Sequence, residues 1–81
     1  MPIKVYSKNN CMQCKFVKKW LLENKLPFVE INVEDDLEAF NYIKDTLNFK
    51  SLPVVETEGF APFSGFNQNA LKSLKEFLRG E

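Results

Sequence analysis

Apolar residues in this chain switch between two spacings, short runs that suit a strand and stretches recurring three and four apart that suit a helix. Ile3 to Ser7 is a β-rich run, closed by the turn-forming polar cluster Lys8-Asn9-Asn10. From Met12 to Asn24 the period becomes helical, with Phe16, Val17, Trp20 and Leu21 on one face and Lys15, Lys18, Lys19 and Glu23 elsewhere. This predicts a first helix with Trp20 in the core and its lysines on a solvated basic edge. Asn24-Lys25-Leu26-Pro27 ends it, and Phe28, Val29, Ile31 and Val33 form a second strand. Glu34, Asp35, Asp36 and Glu38 then crowd negative charge where a helix N-terminus favours it. A second helix follows from about Asp36 to Leu47, with Leu37, Phe40, Ile43 and Leu47 as its apolar stripe.

Leu52-Pro53-Val54-Val55-Glu56 reads as a third strand with a proline at its head. Glu58-Gly59 is a hairpin turn, and Phe60 to Phe63 the returning strand, which Pro62 assigns to a sheet edge. The last helix starts after Gly65-Phe66-Asn67, with Asn67 as N-cap and Ala70, Leu71, Leu74, Phe77 and Leu78 on its apolar face. The order β-α-β-α-β-β-α opens with a βαβ unit, hence a parallel pair joined by a right-handed crossover, and closes with an antiparallel hairpin. The expected fold is α/β, a mixed four-stranded sheet with three helices packed on it.

Eighty-one residues make one small domain, 1–81, and 44% apolar with 14% aromatic residues excludes intrinsic disorder. Eleven basic and eleven acidic residues cancel, so no overall positive field gathers phosphates and nucleic acid is not an expected partner. No apolar stretch approaches the roughly 18 residues that span a bilayer. The start, Met1-Pro2-Ile3-Lys4-Val5-Tyr6, has neither the apolar run nor the cleavage site of a signal peptide. A cytoplasmic protein without a membrane partner is expected. Two cysteines and no histidine remove the usual general base and the commonest metal ligand.

Cys11-Met12-Gln13-Cys14 falls where the first strand's loop turns into the first helix, the context that makes a C-x-x-C a redox signal. At a helix start, free backbone N–H groups and the positive end of the dipole stabilise a thiolate at Cys11. Cys14, one turn on, lies on the same face and reaches it. Lys8 and Lys15 add favourable charge, whereas Met12 and Gln13 bring none and act through packing and hydrogen bonding. Two other readings stand beside this one. A zinc site or shared cluster would need ligands beyond two thiolates, and a buried, inert pair fits poorly beside the polar Asn9-Asn10 turn.

The chain resembles the glutaredoxin branch of the thioredoxin-fold superfamily, and within it the redoxins of the NrdH type. Gln13 immediately before Cys14, the strand opening Leu52-Pro53-Val54-Val55 and the turn Ser64-Gly65-Phe66 carry the likeness by their order and spacing. The resemblance implies Cys11 as nucleophile, Cys14 as resolving thiol, and Pro53 as a cis-proline facing the disulfide. On base rates alone, Pro53 would be trans. The resemblance also implies that the backbone of Leu52 pairs with an incoming peptide. Lys8, Met12, Gln13, Ser64, Gly65 and Phe66 complete the expected partner-binding set, with Phe66 at the surface and Phe60 and Phe63 in the core.

Glutaredoxins that hold glutathione carry a Gly-Gly turn followed by acidic or hydroxyl residues, where this chain has Ser64-Gly65-Phe66-Asn67-Gln68. Poor glutathione binding is the expectation, and the resemblance implies thioredoxin reductase as the electron source. The expected client is the large subunit of class Ib ribonucleotide reductase, served by a monomer whose Cys11-Cys14 disulfide takes the place of a cofactor. A glutathione-dependent glutaredoxin, a general protein disulfide reductase and a metal or iron-sulfur carrier are the alternatives. Two departures from the NrdH pattern stand out: Phe63 where a Trp is common, and Asn67-Gln68 in place of Arg-Pro.

Overall fold

The computed structural model describes residues 3–80. Strand β1 (Ile3–Ser7) leads into helix α1 (Met12–Glu23), followed by strand β2 (Phe28–Asn32) and helix α2 (Leu37–Asn41). α2 opens into a π-helical turn over Tyr42–Thr46 before strands β3 (Val54–Thr57) and β4 (Phe60–Ser64) and helix α3 (Gln68–Arg79). The four strands form one sheet in the order β2-β1-β3-β4. β1 runs parallel to β2, antiparallel pairs join β1 to β3 and β3 to β4, and the expected mixed topology is realised. The edge position of β4 accommodates Pro62, which has no N–H to donate. Among the described residues, no helix is long and apolar enough to cross a membrane.

Strand alternation divides the core between the two faces of the sheet. Ile3, Val5 and Val55 pack with Val17 and Leu21 of α1 and Leu71 and Leu74 of α3. Tyr6 and Val54 point the other way, onto Ile43 of the π-helical turn and Val33 just beyond β2. Phe77 extends the α3 face to the hairpin, its ring 5.4 Å from that of Phe60. A Cβ on Gly59, whose φ is +85°, would approach the Phe77 ring to 3.1 Å. The hairpin glycine therefore serves both the turn and the packing above it.

Two helical faces differ from the periodicity. In α1 the buried residues are Cys14, Val17 and Leu21, while Phe16 is 47% exposed and Trp20 is half-buried against the core. The three- and four-residue spacing of 14, 17 and 21 aims at the sheet, and Phe16 falls off that face. In the second helix Asp36 caps the N-terminus through the Ala39 N–H at 3.1 Å, yet of the expected stripe only Ile43 is fully buried. The helix widens where the Leu47 N–H reaches back to the Tyr42 carbonyl, and it ends at Asn48 with φ +61°. Glu56 of β3 anchors this turn, accepting hydrogen bonds from the hydroxyls of Tyr6 and Tyr42. Burial first, and then that carboxylate, push the Tyr6 phenol above its ordinary value; for Tyr42 the hydrogen bond to Glu56 is the larger cause.

Leu71 is wholly buried between α3 and the sheet, so Leu71→Ala should cost about 2–5 kcal/mol, read from urea unfolding. Glu30 of β2 accepts from Lys18 Nζ and from the Ser7 hydroxyl, each at 2.7 Å. Chiefly the Lys18 bond, then that of Ser7, lowers its carboxyl below the usual 4.5. A carboxyl lowered on folding stabilises fully above its unfolded value, and the gain fades as pH falls through the folded one. With Glu30 40% exposed, Glu30→Gln should cost under about 1 kcal/mol at pH 7. That cost should fade as pH falls below 4.5 and vanish once the lowered carboxyl is itself protonated, as unfolding curves at neutral pH and in strong acid would show.

Candidate functional site

Cys11 occupies the N-cap of α1 in extended backbone geometry, with φ −111° and ψ 106°. The position is ordinarily filled by Ser, Thr, Asp or Asn, whose oxygen accepts a free amide of the first turn. Here sulfur takes that part: Cys11 Sγ accepts the Cys14 N–H at 3.1 Å. The two cysteines are joined in a disulfide with their Cα atoms 5.2 Å apart. Both cysteines are buried, Cys14 1% exposed and Cys11 7%, which corrects the expectation that the polar Asn9-Asn10 turn leaves Cys11 exposed. The turn itself is in solvent, but the sulfur folds under it against the helix start, and the N-terminal cysteine is the more open of the two. No acidic residue lies in the first turn of α1, and the amide and helix dipole act on a Cys11 thiolate without a neighbouring like charge in that turn. Met12 beside it stands 61% exposed, and Lys8 and Lys15 are exposed without an ion pair among the described residues.

Three segments distant in sequence meet at this turn. The Leu52–Pro53 peptide is cis, Pro53 is buried, and the Leu52 carbonyl oxygen lies 3.9 Å from Cys11 Sγ. The Pro53 carbonyl accepts the Gly65 N–H at 2.8 Å. Gly65 adopts φ +80°, and Ser64 before it ends β4 opposite Val54. Gln13 closes the circuit, its Oε1 accepting the Phe66 N–H at 3.2 Å. Gln13 thus ties the cysteine turn to the Ser64-Gly65-Phe66 turn.

Phe66 is half-buried, and its ring sits 5.8 Å from that of Phe16, which extends an aromatic surface beside the cysteine turn. Phe60 and Phe63 pack partly buried against the core, as their sequence position suggested. Asn67 is committed to capping α3, its Oδ1 accepting the Ala70 N–H at 3.0 Å, and no acidic residue follows in that first turn.

Sequence reasoning missed the clamp behind the site. Glu34, counted among the charges of the second helix, instead grips the loop before Cys11. Its carboxylate accepts the Asn9 N–H at 3.1 Å and Asn9 Nδ2 at 2.9 Å. Asn32 Nδ2 holds the other end of the Asn9 amide at 2.9 Å. No spacing rule links residues 9 and 34, and parallel pairing of β1 with β2 alone brings them together. Among the described residues, no group of three or more Cys, Asp or Glu side chains is disposed to hold a metal ion.

A family model for glutaredoxin matches residues 3–60. The chain belongs to the glutaredoxin family. It is a thiol-disulfide oxidoreductase with Cys11 and Cys14 as its redox pair. Over 72 residues it is 46% identical to the glutaredoxin-like protein NrdH of Lactococcus lactis, a match covering 89% of this chain and 97% of that protein. The solved structure of the glutaredoxin-like NrdH-redoxin of Escherichia coli, described as having a thioredoxin-like activity profile, matches with a TM-score of 0.85. That match has 31% identity and covers 91% of this chain and 95% of the other. A glutaredoxin from Archaeoglobus fulgidus, 22% identical with a TM-score of 0.77 over 89% of this chain and 83% of its own, shares the fold. The resemblance read from three short motifs therefore extends to the whole architecture.

A Cβ on Gly65 would meet Gln13 Oε1 at 3.4 Å and would add the penalty of a left-handed backbone. Gly65→Ala should lower stability by about 1–2 kcal/mol in urea unfolding. It should also shift the amide resonances of Gln13 and Phe66, because it strains the turn they share.

Proposed function

We propose that this protein is a monomeric, cytoplasmic electron donor, acting as one redoxin domain over residues 1–81, that carries reducing equivalents from thioredoxin reductase to the large subunit of class Ib ribonucleotide reductase. The observation that carries the chemistry is the N-cap sulfur: Cys11 is the more open cysteine and already accepts a helix amide. In the reduced protein the Cys11 thiolate attacks one sulfur of a client disulfide. That bond breaks as a mixed disulfide forms, and the departing client sulfur takes a proton. Cys14 loses its proton and attacks Cys11. The client leaves as a dithiol with two electrons gained, and the Cys11–Cys14 bond holds the oxidation until the reductase returns two electrons and two protons. Leu52 and cis-Pro53 present backbone beside the reacting sulfur for an extended client segment.

Likeness to the NrdH redoxins supports the choice of reductase and client. The start of α3 supports it as well, since Phe66 replaces a second glycine and Asn67 spends its side chain on the cap, leaving no carboxylate for a glutathione amine. A coupled assay following NADPH oxidation tests this. Turnover should be fast with thioredoxin reductase and slow with glutathione plus its reductase, and the opposite ranking would overturn the assignment. Cys11→Ser should abolish turnover, whereas Cys14→Ser should accumulate a mixed disulfide visible by mass spectrometry. Full activity of the Cys11 variant would refute its role as nucleophile.

A further inference from the structure

The parallel ladder of β1 with β2 ends at the Ser7–Asn32 pair and at the Val33 N–H, which reaches the Ser7 carbonyl at 2.9 Å. Beyond that point the two segments are joined by side chains, in a closed ring of Asn9, Asn32 and Glu34. The ring has one self-consistent orientation, and its backbone end fixes it. The Glu34 N–H donates to Asn32 Oδ1 at 2.9 Å, which turns the Asn32 nitrogen toward Asn9. Asn9 must then offer its oxygen to Asn32 and its Nδ2 to residue 34, where its own backbone N–H also arrives. Residue 34 therefore accepts at both of its terminal atoms. A carboxylate does this, and the amide of a glutamine, one end of which is a donor, does not.

From Asn9 the constraint reaches the sulfur within two residues. Asn10 holds a left-handed backbone, φ +56°, and the chain turns there into the extended N-cap of Cys11. That geometry sets Cys11 Sγ over the Cys14 N–H, 3.1 Å away. We infer that Glu34 is a positioning residue for Cys11: by fixing Asn9 it holds the sulfur on the first amides of α1, and so keeps the nucleophile of the reduced protein in its thiolate form. The inference rests on the reading of Cys11 as nucleophile. Its sign is the reverse of a direct charge effect. A nearby carboxylate disfavours a thiolate, so loss of the charge alone would let Cys11 ionise more readily. Release of the loop takes the helix amide away and makes it ionise less readily. The hydrogen bonds of the ring are exposed, so its share in the stability of the fold is modest.

The test uses reduced protein carrying Cys14→Ser, so that Cys11 is the single thiol, and follows its alkylation by iodoacetamide across pH by mass spectrometry. Adding Glu34→Gln should raise the midpoint of the profile by about 0.3–0.7 in pH, which slows alkylation about two- to five-fold below the midpoint. Adding Asn9→Asp as well exchanges donor and acceptor across the ring. The carboxylate then stands at position 9, where it accepts from Asn32 and from the new amide, and the oxygen of that amide accepts the backbone N–H of position 9. This double exchange leaves the net charge of the ring as it was and should return the midpoint to near its original value. Lys8 in the same loop, Lys15 on α1, and Lys44, Asp45 and Lys50 around the cavity that Leu52 borders are the same in every variant. A midpoint that falls or stays put in Glu34→Gln, whatever urea unfolding shows, would overturn the positioning role, and so would a double exchange no better than the single one. Turnover of hydroxyethyl disulfide that persists in Cys11→Ser would instead refute the nucleophile reading, and the role of Glu34 with it.

Discussion

The hydrogen bond from the Cys14 amide to the Cys11 sulfur joins the chemistry of this protein to its fold. A helix must satisfy its first amides, and here the group that does so is also the redox sulfur. Reactivity and structure therefore share one interaction. Burial of Cys14, Val17 and Leu21 fixes the rotation of α1 against the sheet, which holds the N-cap amide beneath Cys11. The clamp of Glu34 on Asn9 sets the loop that delivers the sulfur from the other side.

Around that bond the site is assembled mostly from backbone. The Leu52 carbonyl, the Pro53 carbonyl with the Gly65 amide, and the Phe66 amide on Gln13 form the ring of contacts around the disulfide. Backbone groups carry little sequence preference of their own. Discrimination has to come from side chains at the margin. Those margins differ in character, aromatic with balanced charge beside α3 and apolar with a lysine rim beside the π-helical turn.

Much of this was legible in the sequence, for a specific reason. Strand and helix periods report which face of a local element is apolar: in α3 one face dominates enough to set both element and orientation, whereas in β1 and β3 short apolar runs set the element and both faces are buried. The same rule failed where apolar residues cover more than one face. Phe16 and Phe40 satisfy a helical spacing yet remain largely exposed, because the sheet offers each helix only a narrow strip of contact. The π-helical turn was equally invisible, and the hydrogen bond that ties its first residue, Tyr42, to Glu56 joins it to a distant strand.

The sequence by itself determined the order of elements, the C-x-x-C at a helix start, the N-cap at Asn67, and the edge placement of Pro62. All of these follow from backbone and side-chain physics acting within a few residues. Only the tertiary structure decided which cysteine is the more open, that Gln13 binds the Phe66 turn, that Glu34 holds the loop before Cys11, and that three lysines surround an apolar cavity beside Leu52. Each of those depends on residues 25 to 53 positions apart, or on several segments at once. The pairing of β1 with β2 and β3 must form before such groups have any distance to one another that chemistry can use.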